Sequence, residues 1–366
     1  MRFEIQREAL LKPLQQVIGV VERRQTLPIL GNIRISADGE GIALTATDLE
    51  VELVARTAFD VEEAGEITVP ARKFMDICRT LPEEARIGFA VQGERAVIRS
   101  GKSRFNLLTL PAADFPTIEG IDGVAGFSVP QDALKTLIER TAFAMAQQDV
   151  RYYLNGLLLE MSSGRLRTVA TDGHRLALRE LGAEVDSEEA RQVIVPRKGV
   201  HELSRLLEES DAQARVEVGT NHVRVTLPDI CFTSKLIDGR FPDYERVIPQ
   251  AGDKTLSADR EILRQALVRT SILSNEKYRG VKLNLTGGAL RIQAHNPEQE
   301  EAEEEIEVEY EGEPLEIGFN VTYLLDALGA VGTDHVEVEF SDPNSSCLIR
   351  EAGSDAGRLV IMPMRL

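Results

Sequence analysis

What most constrains this chain is that it repeats itself. Three segments carry the same features in the same order. Leu44-Thr45-Ala46-Thr47-Asp48-Leu49-Glu50 is answered by Thr168-Val169-Ala170-Thr171-Asp172-Gly173-His174, and then by Ile292-Gln293-Ala294-His295-Asn296-Pro297-Glu298. Asp48, Asp172 and Asn296 are separated by 124 residues each time. Val69-Pro70-Ala71-Arg72-Lys73 opens one helical pattern and Val195-Pro196-Arg197-Lys198 another, with Gly318-Phe319-Asn320-Val321 as a diverged third. Proline suits a helix start, where its missing N–H would be unpaired anyway. Asp114-Phe115-Pro116 returns as Arg240-Phe241-Pro242-Asp243, and proline to phenylalanine spans 45 residues both times. Such a long period is a domain duplication rather than a solenoid.

Each copy reads as two amphipathic helices among alternating strands. Leu10, Leu14, Val17 and Ile18 mark one helix of the first copy, and Phe74, Ile77, Cys78 and Leu81 the other. Leu134, Leu137 and Ile138, then Val200, Leu203, Leu206 and Leu207, answer in the second. The third has Ile262, Leu263, Ala266 and Leu267, then Leu324, Leu325 and Leu328. Segments such as Val336-Glu337-Val338-Glu339-Phe340 alternate like half-buried antiparallel strands. The expected fold is α+β: three tandem copies over 1–121, 127–249 and 256–366, each with two helices packed on one face of an antiparallel sheet. Linkers are expected near 117–127 and 249–257.

Composition narrows the function classes. At 43% apolar residues the chain can build cores. Cys78, Cys231 and Cys347 are odd in number and widely spaced, which fits reduced thiols in a cytoplasm and neither a disulfide framework nor a zinc site. Met1-Arg2-Phe3-Glu4 does not open like a secretory signal, and no stretch approaches the roughly 20 apolar residues of a membrane span. A net charge of −18 argues against simple electrostatic binding to nucleic acid.

Enzyme readings fail on context. Gly101-Lys102-Ser103 resembles the end of a phosphate-binding loop, but Arg104-Phe105-Asn106-Leu107-Leu108 follows it and alternates like a strand, where a helix is required. Ser100-Gly101-Lys102 is therefore expected to be a hairpin turn. Asp172 and His174 lack a serine or cysteine elbow. Their first-copy counterparts are Asp48 and Glu50, which favours a turn role for the aspartate. No cofactor and no metal are expected.

Tandem copies with similar heads and tails can close into rings through head-to-tail contacts. Copy one offers Lys73, Arg95, Lys102 and Arg104 beside Phe105 and Leu107; copy three carries ten glutamates from Glu298 to Glu313 near Ile272-Leu273. That acidic run is either a complementary end or simply a solvated face. The helices meanwhile hold Lys12, Arg72, Lys73, Arg79, Lys135, Arg140, Arg197, Lys198, Arg205, Arg264 and Arg269. If helices line a hole, positive charge faces inward despite the acidic total.

At this point the sequence resembles the bacterial DNA sliding clamps, the β subunits of DNA polymerase III, over essentially its whole length. The resemblance is carried by Thr26-Leu27-Pro28-Ile29-Leu30-Gly31-Asn32, Gln148-Asp149-Val150-Arg151-Tyr152-Tyr153-Leu154-Asn155-Gly156 and Ala170-Thr171-Asp172-Gly173-His174-Arg175-Leu176. Phe232-Thr233-Ser234-Lys235, Asp238-Gly239-Arg240-Phe241-Pro242-Asp243-Tyr244, Leu273-Ser274-Asn275-Glu276-Lys277 and Asn296-Pro297-Glu298-Gln299-Glu300-Glu301-Ala302 continue it, and Met362-Pro363-Met364-Arg365-Leu366 closes it. It implies a head-to-tail homodimer forming a six-domain ring around double-stranded DNA, without sequence preference. The implied partners are an ATP-dependent clamp loader, the replicative polymerase, translesion polymerases, mismatch repair proteins and ligase.

The resemblance also assigns residues. DNA contacts fall on Arg24, Arg72, Gln148, Tyr152 and Tyr153, where arginine can fork onto phosphate and tyrosine can stack on a base. Read as adjacent strand residues, Tyr152 and Tyr153 point opposite ways, so one is half-buried. A partner-peptide cleft falls on Leu154, Thr171, Gly173, His174, Arg175, Leu176, Pro242, Arg246, Val247, Tyr323, Ser346 and Val360, and on Met362, Pro363, Met364, Arg365 and Leu366. His174 and Arg175 are then its rim, and adaptable methionines suit varied peptides. The dimer contact falls on Lys73, Lys102, Arg104, Phe105, Leu107, Ile272, Leu273, Glu298, Glu300, Glu301 and Glu304. Two rivals stand beside this reading: a nucleotide hydrolase using Lys102, and a ring-shaped recruitment scaffold with no DNA role.

Overall fold

Strand, helix, four strands, helix, three strands: this order recurs in each third of the chain, with one further short strand between the helices of the second and third. The structure, a computed structural model, describes residues 1–21, 27–118, 120–121, 125–186, 190–250 and 252–366. The first succession is β1 (Arg2–Gln6), α1 (Arg7–Val17), β2 (Asn32–Asp38), β3 (Gly41–Thr47), β4 (Val51–Ala58), β5 (Gly65–Pro70), α2 (Ala71–Thr80), β6 (Arg86–Gln92), β7 (Arg95–Ser100) and β8 (Ser103–Leu108). The second is β9 (Ala125–Pro130), α3 (Gln131–Glu139), β10 (Gly156–Ser162), β11 (Arg165–Thr171), β12 (Arg175–Gly182), the short β13 (Val185–Asp186), β14 (Arg191–Pro196), α4 (Arg197–Leu206), β15 (Gln213–Val218), β16 (His222–Thr226) and β17 (Ile230–Lys235). The third is β18 (Lys254–Asp259), α5 (Arg260–Ser271), β19 (Gly280–Thr286), β20 (Ala289–His295), β21 (Glu301–Glu307), the short β22 (Glu309–Tyr310), β23 (Leu315–Asn320), α6 (Val321–Ala330), β24 (His335–Phe340), β25 (Cys347–Glu351) and β26 (Gly357–Ile361). Strands β9 and β18 begin at Ala125 and Lys254, so both linkers are shorter than expected.

One expectation needs correcting. The strands of a copy do not form one sheet with two helices on a face. They divide into two sets, and sets from consecutive copies join edge to edge. The packing yields two compact units. In one, β13-β9-β15-β16-β17-β4-β3-β2-β5 is a nine-stranded sheet beside the four-stranded β1-β6-β7-β8. In the other, β14-β10-β11-β12-β26-β25-β24-β18-β22 stands beside β21-β20-β19-β23. First and second copies meet where β4 pairs antiparallel with β17, Leu53 opposite Phe232. Second and third meet where β12 pairs antiparallel with β26, Ala177 opposite Leu359. A lone set would leave an unpaired edge, a hazard that this edge-to-edge joining removes.

Cores form where the alternation predicts. In the first unit Leu10, Leu14 and Val17 of α1 are buried, and Phe3 stacks on Phe89 at 4.9 Å with Phe74 edge-on at 5.8 Å. In the second unit Leu154, Leu158, Val169, Leu176, Leu178, Ile194, Phe241, Tyr244, Leu348 and Val360 form one apolar cluster. Ile262 breaks the expected stripe on α5 and is 54% exposed. Asn320 shows why the third helix landmark has diverged. It stands where Pro70 and Pro196 stand, and its side chain caps α6 by accepting the Thr322 N–H. Ser100 pairs with Ser103 around Gly101 at φ 55°, the expected hairpin, so Lys102 opens no helix.

Candidate functional site

The second unit contains an open apolar pocket of about 210 Å³. Its geometry starts from the repeated aspartate. Between β11 and β12 the Asp172 carboxylate accepts the N–H groups of His174 (2.9 Å) and Arg175 (3.1 Å). Thr171 Oγ1 donates to the Arg175 carbonyl at 2.6 Å. The turn needs a left-handed residue, supplied by Gly173 at φ 89°. A Cβ there would also lie 3.0 Å from the Arg151 guanidinium. Asp48 closes the first-copy turn in the same way, with Leu49 strained at φ 77°. The aspartate is thus a turn former in both copies.

Strand register distinguishes this turn from its first-copy counterpart. Thr171 pairs with Leu176 as Thr47 pairs with Glu52, so a carboxylate stands where the pocket has a leucine. Glu52 accepts the Ile118 N–H at 2.9 Å, and burial pushes its pKa up. Lys198 closes an ion pair with Asp48 at the turn itself. The first turn is therefore polar.

Of the expected cleft residues, Leu154, Thr171, Gly173, His174, Arg175, Leu176, Pro242, Val247, Val360 and Met362 line the pocket. Arg151, Asp243 and Tyr244 line it as well and were missed as cleft residues, although all three lie inside quoted motifs. Arg175 is more pillar than rim. Its guanidinium holds Asp172 (3.0 Å), Asp326 (2.6 Å) and the Phe143 carbonyl (2.8 Å), and lies over the Phe143 and Tyr323 rings. Tyr323 stacks on His174 at 6.4 Å and so shapes the pocket without lining it. Arg246 is exposed and paired with Asp243 at 2.7 Å, and Ser346 is half-buried just before β25. Pro363, Met364, Arg365 and Leu366 lie outside the pocket lining. The tail is nonetheless tied down: Met362 N–H donates to His174 O at 2.9 Å and Met364 N–H to Gly318 O at 2.8 Å.

Beside the pocket, the expected DNA loop is braced internally. Asn155 accepts the Asp149 N–H and returns a bond to the Asp149 carbonyl, both at 2.9 Å. Arg151 grips the Asp149 carboxylate, holding its pKa down at about 2. Gln148 takes φ 54°. Tyr152 and Tyr153 sit on a 3-10 turn, not a strand; Tyr152 is 57% exposed while Tyr153 packs against the apolar cluster. The split in exposure matches the expectation, but the helical turn rather than a pleat produces it. In the first unit Arg72 is exposed, yet its guanidinium donates to Val21 O at 2.5 Å. Arg24 lies outside the described residues.

The basic helix face is thinner than its residue count implies. Lys12 pairs with Asp229, Arg79 with Asp76, Lys198 with Asp48, Arg205 with Glu202, Arg264 with Glu261 and Arg269 with Glu304. On β8, Leu107 is buried in its own core and Phe105 is half-buried, because the pleat turns odd positions inward. Arg104 is exposed, and so is Leu108 at 67%, an apolar residue missed in the sequence. Lys73 and Lys102 are exposed, Ile272 is 73% exposed and Leu273 half-buried. Glu298, Glu300 and Glu301 are exposed, whereas Glu304 is occupied by Arg269, which lowers its pKa.

Three family models tile the sequence: the N-terminal domain of the DNA polymerase III beta subunit over residues 1–119, its central domain over 128–243 and its C-terminal domain over 245–365. The beta sliding clamp of Pseudomonas aeruginosa is 59% identical and that of Escherichia coli K12 53%, each covering 100% of both chains. A crystal structure of the Pseudomonas aeruginosa clamp bound to griselimycin superposes with a TM-score of 0.97 over 100% of both chains, at 59% identity. With its three repeats, its turn-built pocket and these matches, the chain belongs to the family of DNA polymerase III β subunits, the bacterial DNA sliding clamps.

Proposed function

We propose that two copies of this chain close head to tail into a six-domain ring that encircles duplex DNA in the cytoplasm and tethers the replicative polymerase to it. The single observation that carries this reading is the way the repeats already join. Strands β4 and β12 each pair with the edge strand of the next copy, β17 and β26. Their counterparts β21 and β8 are the edges of the two four-stranded sheets and have no strand partner on that side among the described residues. Projecting the internal junctions through the registers puts Phe105 opposite Ala302, as Phe232 faces Leu53 and Leu359 faces Ala177. Arg104 then faces Glu303. We assign Ile272, Leu273 and Leu108 to the apolar part of that seam, with Lys73, Lys102 and Glu298, Glu300, Glu301 and Glu304 around it.

We keep the division at 1–121, 127–249 and 256–366, with the starts of β9 and β18, at Ala125 and Lys254, counted to the domains they open. Exposed Tyr152, Gln148 and Arg72 are the groups offered to DNA, and Arg24 joins them by family likeness. Encirclement needs little intrinsic affinity, which reconciles DNA tethering with a net charge of −18. Such a ring works without catalysis or cofactor, and a clamp loader is needed to open it. The pocket beside His174 takes the apolar anchors of short peptides from the polymerase and other clamp-binding proteins, and it is where griselimycin is expected to bind.

Retention on DNA tests the proposal. Loaded clamps are expected to persist on nicked circular DNA and to run off the same DNA once linearised. Equal lifetimes on the two templates would overturn encirclement and favour the scaffold reading.

A further inference from the structure

The three repeats differ informatively at one pair of positions. The register places Asn32 opposite Pro70, Gly156 opposite Pro196 and Gly280 opposite Asn320, so these three residues are equivalent. Two places earlier on the partner strand stand Thr68, Ile194 and Gly318. In each copy the segment after the last strand binds here. Leu110 exchanges backbone bonds with Thr68, Ile237 donates to Ile194, and Met364 donates to Gly318. The first copy fills the spot with side chains, Asn32 Nδ2 donating to Thr68 Oγ1 at 2.9 Å. The third copy alone has glycine at both positions.

Neither glycine is there for its backbone. Both lie outside the left-handed φ range, so any residue could adopt their conformation. Glycine inside a strand weakens it and often marks the close approach of another chain segment. That segment is the tail. A Cβ on Gly318 would lie 2.6 Å from the Met364 carbonyl oxygen and 3.0 Å from Leu366. A Cβ on Gly280 would lie 2.2 Å from Leu366 Cδ2. The two glycines share one face of the sheet, since their strand neighbours Val281 and Phe319 are both fully buried on the other.

We propose that Gly280 and Gly318 form a seat for the side chain of Leu366, and that this seat positions the tail as a wall of the peptide cleft. With the tail seated, Met364 N–H reaches Gly318 O and Met362 N–H reaches His174 O, which sets Met362 in the pocket lining. Gly280 and Gly318 are positioning residues: they touch the tail and not the pocket. The proposal rests on the reading of that pocket as the partner site.

The test compares the whole dimeric protein with its Gly318→Ala and Leu366→Ala variants. Gly318→Ala displaces a backbone carbonyl, whereas Leu366→Ala only vacates the seat and leaves the sheet intact, so a folding defect in the first does not decide the matter. Two readouts are taken: hydrogen exchange at the Met364 amide and affinity for griselimycin. Expected in both variants is exchange at least about tenfold faster, with griselimycin affinity falling about tenfold. Unchanged exchange in both variants overturns the seat, whatever the affinity does. Faster exchange with unchanged affinity overturns its link to the cleft. Failure of the wild-type protein to bind griselimycin would instead remove the cleft reading, while the exchange data would still judge the seat.

Discussion

Replacing Ile272 and Leu273 together by alanine tests the head-to-tail seam most directly. Truncation removes three carbons from each side chain. Ile272 is 73% exposed and Leu273 half-buried in the single chain, so only that share can be newly buried by a partner. At about 0.8 kcal/mol per buried carbon, the loss is about 1.8 kcal/mol for Ile272 and about 1.2 kcal/mol for Leu273. A closed dimer contains the seam twice, which makes about 6 kcal/mol, or about four powers of ten in the dissociation constant. Because the wild-type dimer can be tight enough to hide such a shift at micromolar concentration, mass at one concentration is not sufficient. Fluorescence-detected sedimentation across a dilution series from micromolar to picomolar gives both constants. The double variant is expected to be monomeric at concentrations where the wild type is still dimeric. A rise in the constant of less than about tenfold would refute the placement of these residues at the apolar centre of the contact.

Two other outcomes are expected. Deleting Pro363 to Leu366 should abolish griselimycin binding while sedimentation still reports a dimer; retained affinity would move the site away from the tail. Tyr244 supplies a pH dependence. Burial, opposed by its bond to Arg167, pushes the hydroxyl up from 10.0 to about 12. A group raised in the folded state contributes stability below its unfolded pKa and loses it as pH climbs through the folded value. Thermal stability of the wild type should therefore decline from pH 10 to about 12 more steeply than that of Tyr244→Phe, and parallel curves would disprove the contribution.

The repeat, the helices and most strands were legible because each rests on a local pattern: an apolar stripe, an alternation, a turn-forming aspartate. Sheet membership was not, since strand pairing across copies is decided by edges that no single segment encodes. The same limit explains Arg175. The family resemblance gave a rim residue, whereas Asp326 and Tyr323, far along the sequence, make it a pillar. Leu107 and Leu108 show the opposite case. Both are apolar, and only the register of β8 says which one faces water. Gly280 and Gly318 look like ordinary strand blemishes until the tail laid across them is seen.

The joining of strand sets across copies also separates ancestry from cooperativity. The duplicated segment runs from one linker to the next, yet the middle copy contributes strands to both compact units. Excising that copy alone would bare the edges of β12 and β17 together, each a template for adventitious pairing with another chain. The segment that was copied is therefore not the segment that unfolds together. Cooperative opening is expected to follow the nine-stranded sheets, with the middle copy losing β10, β11 and β12 in one event and β15, β16 and β17 in another.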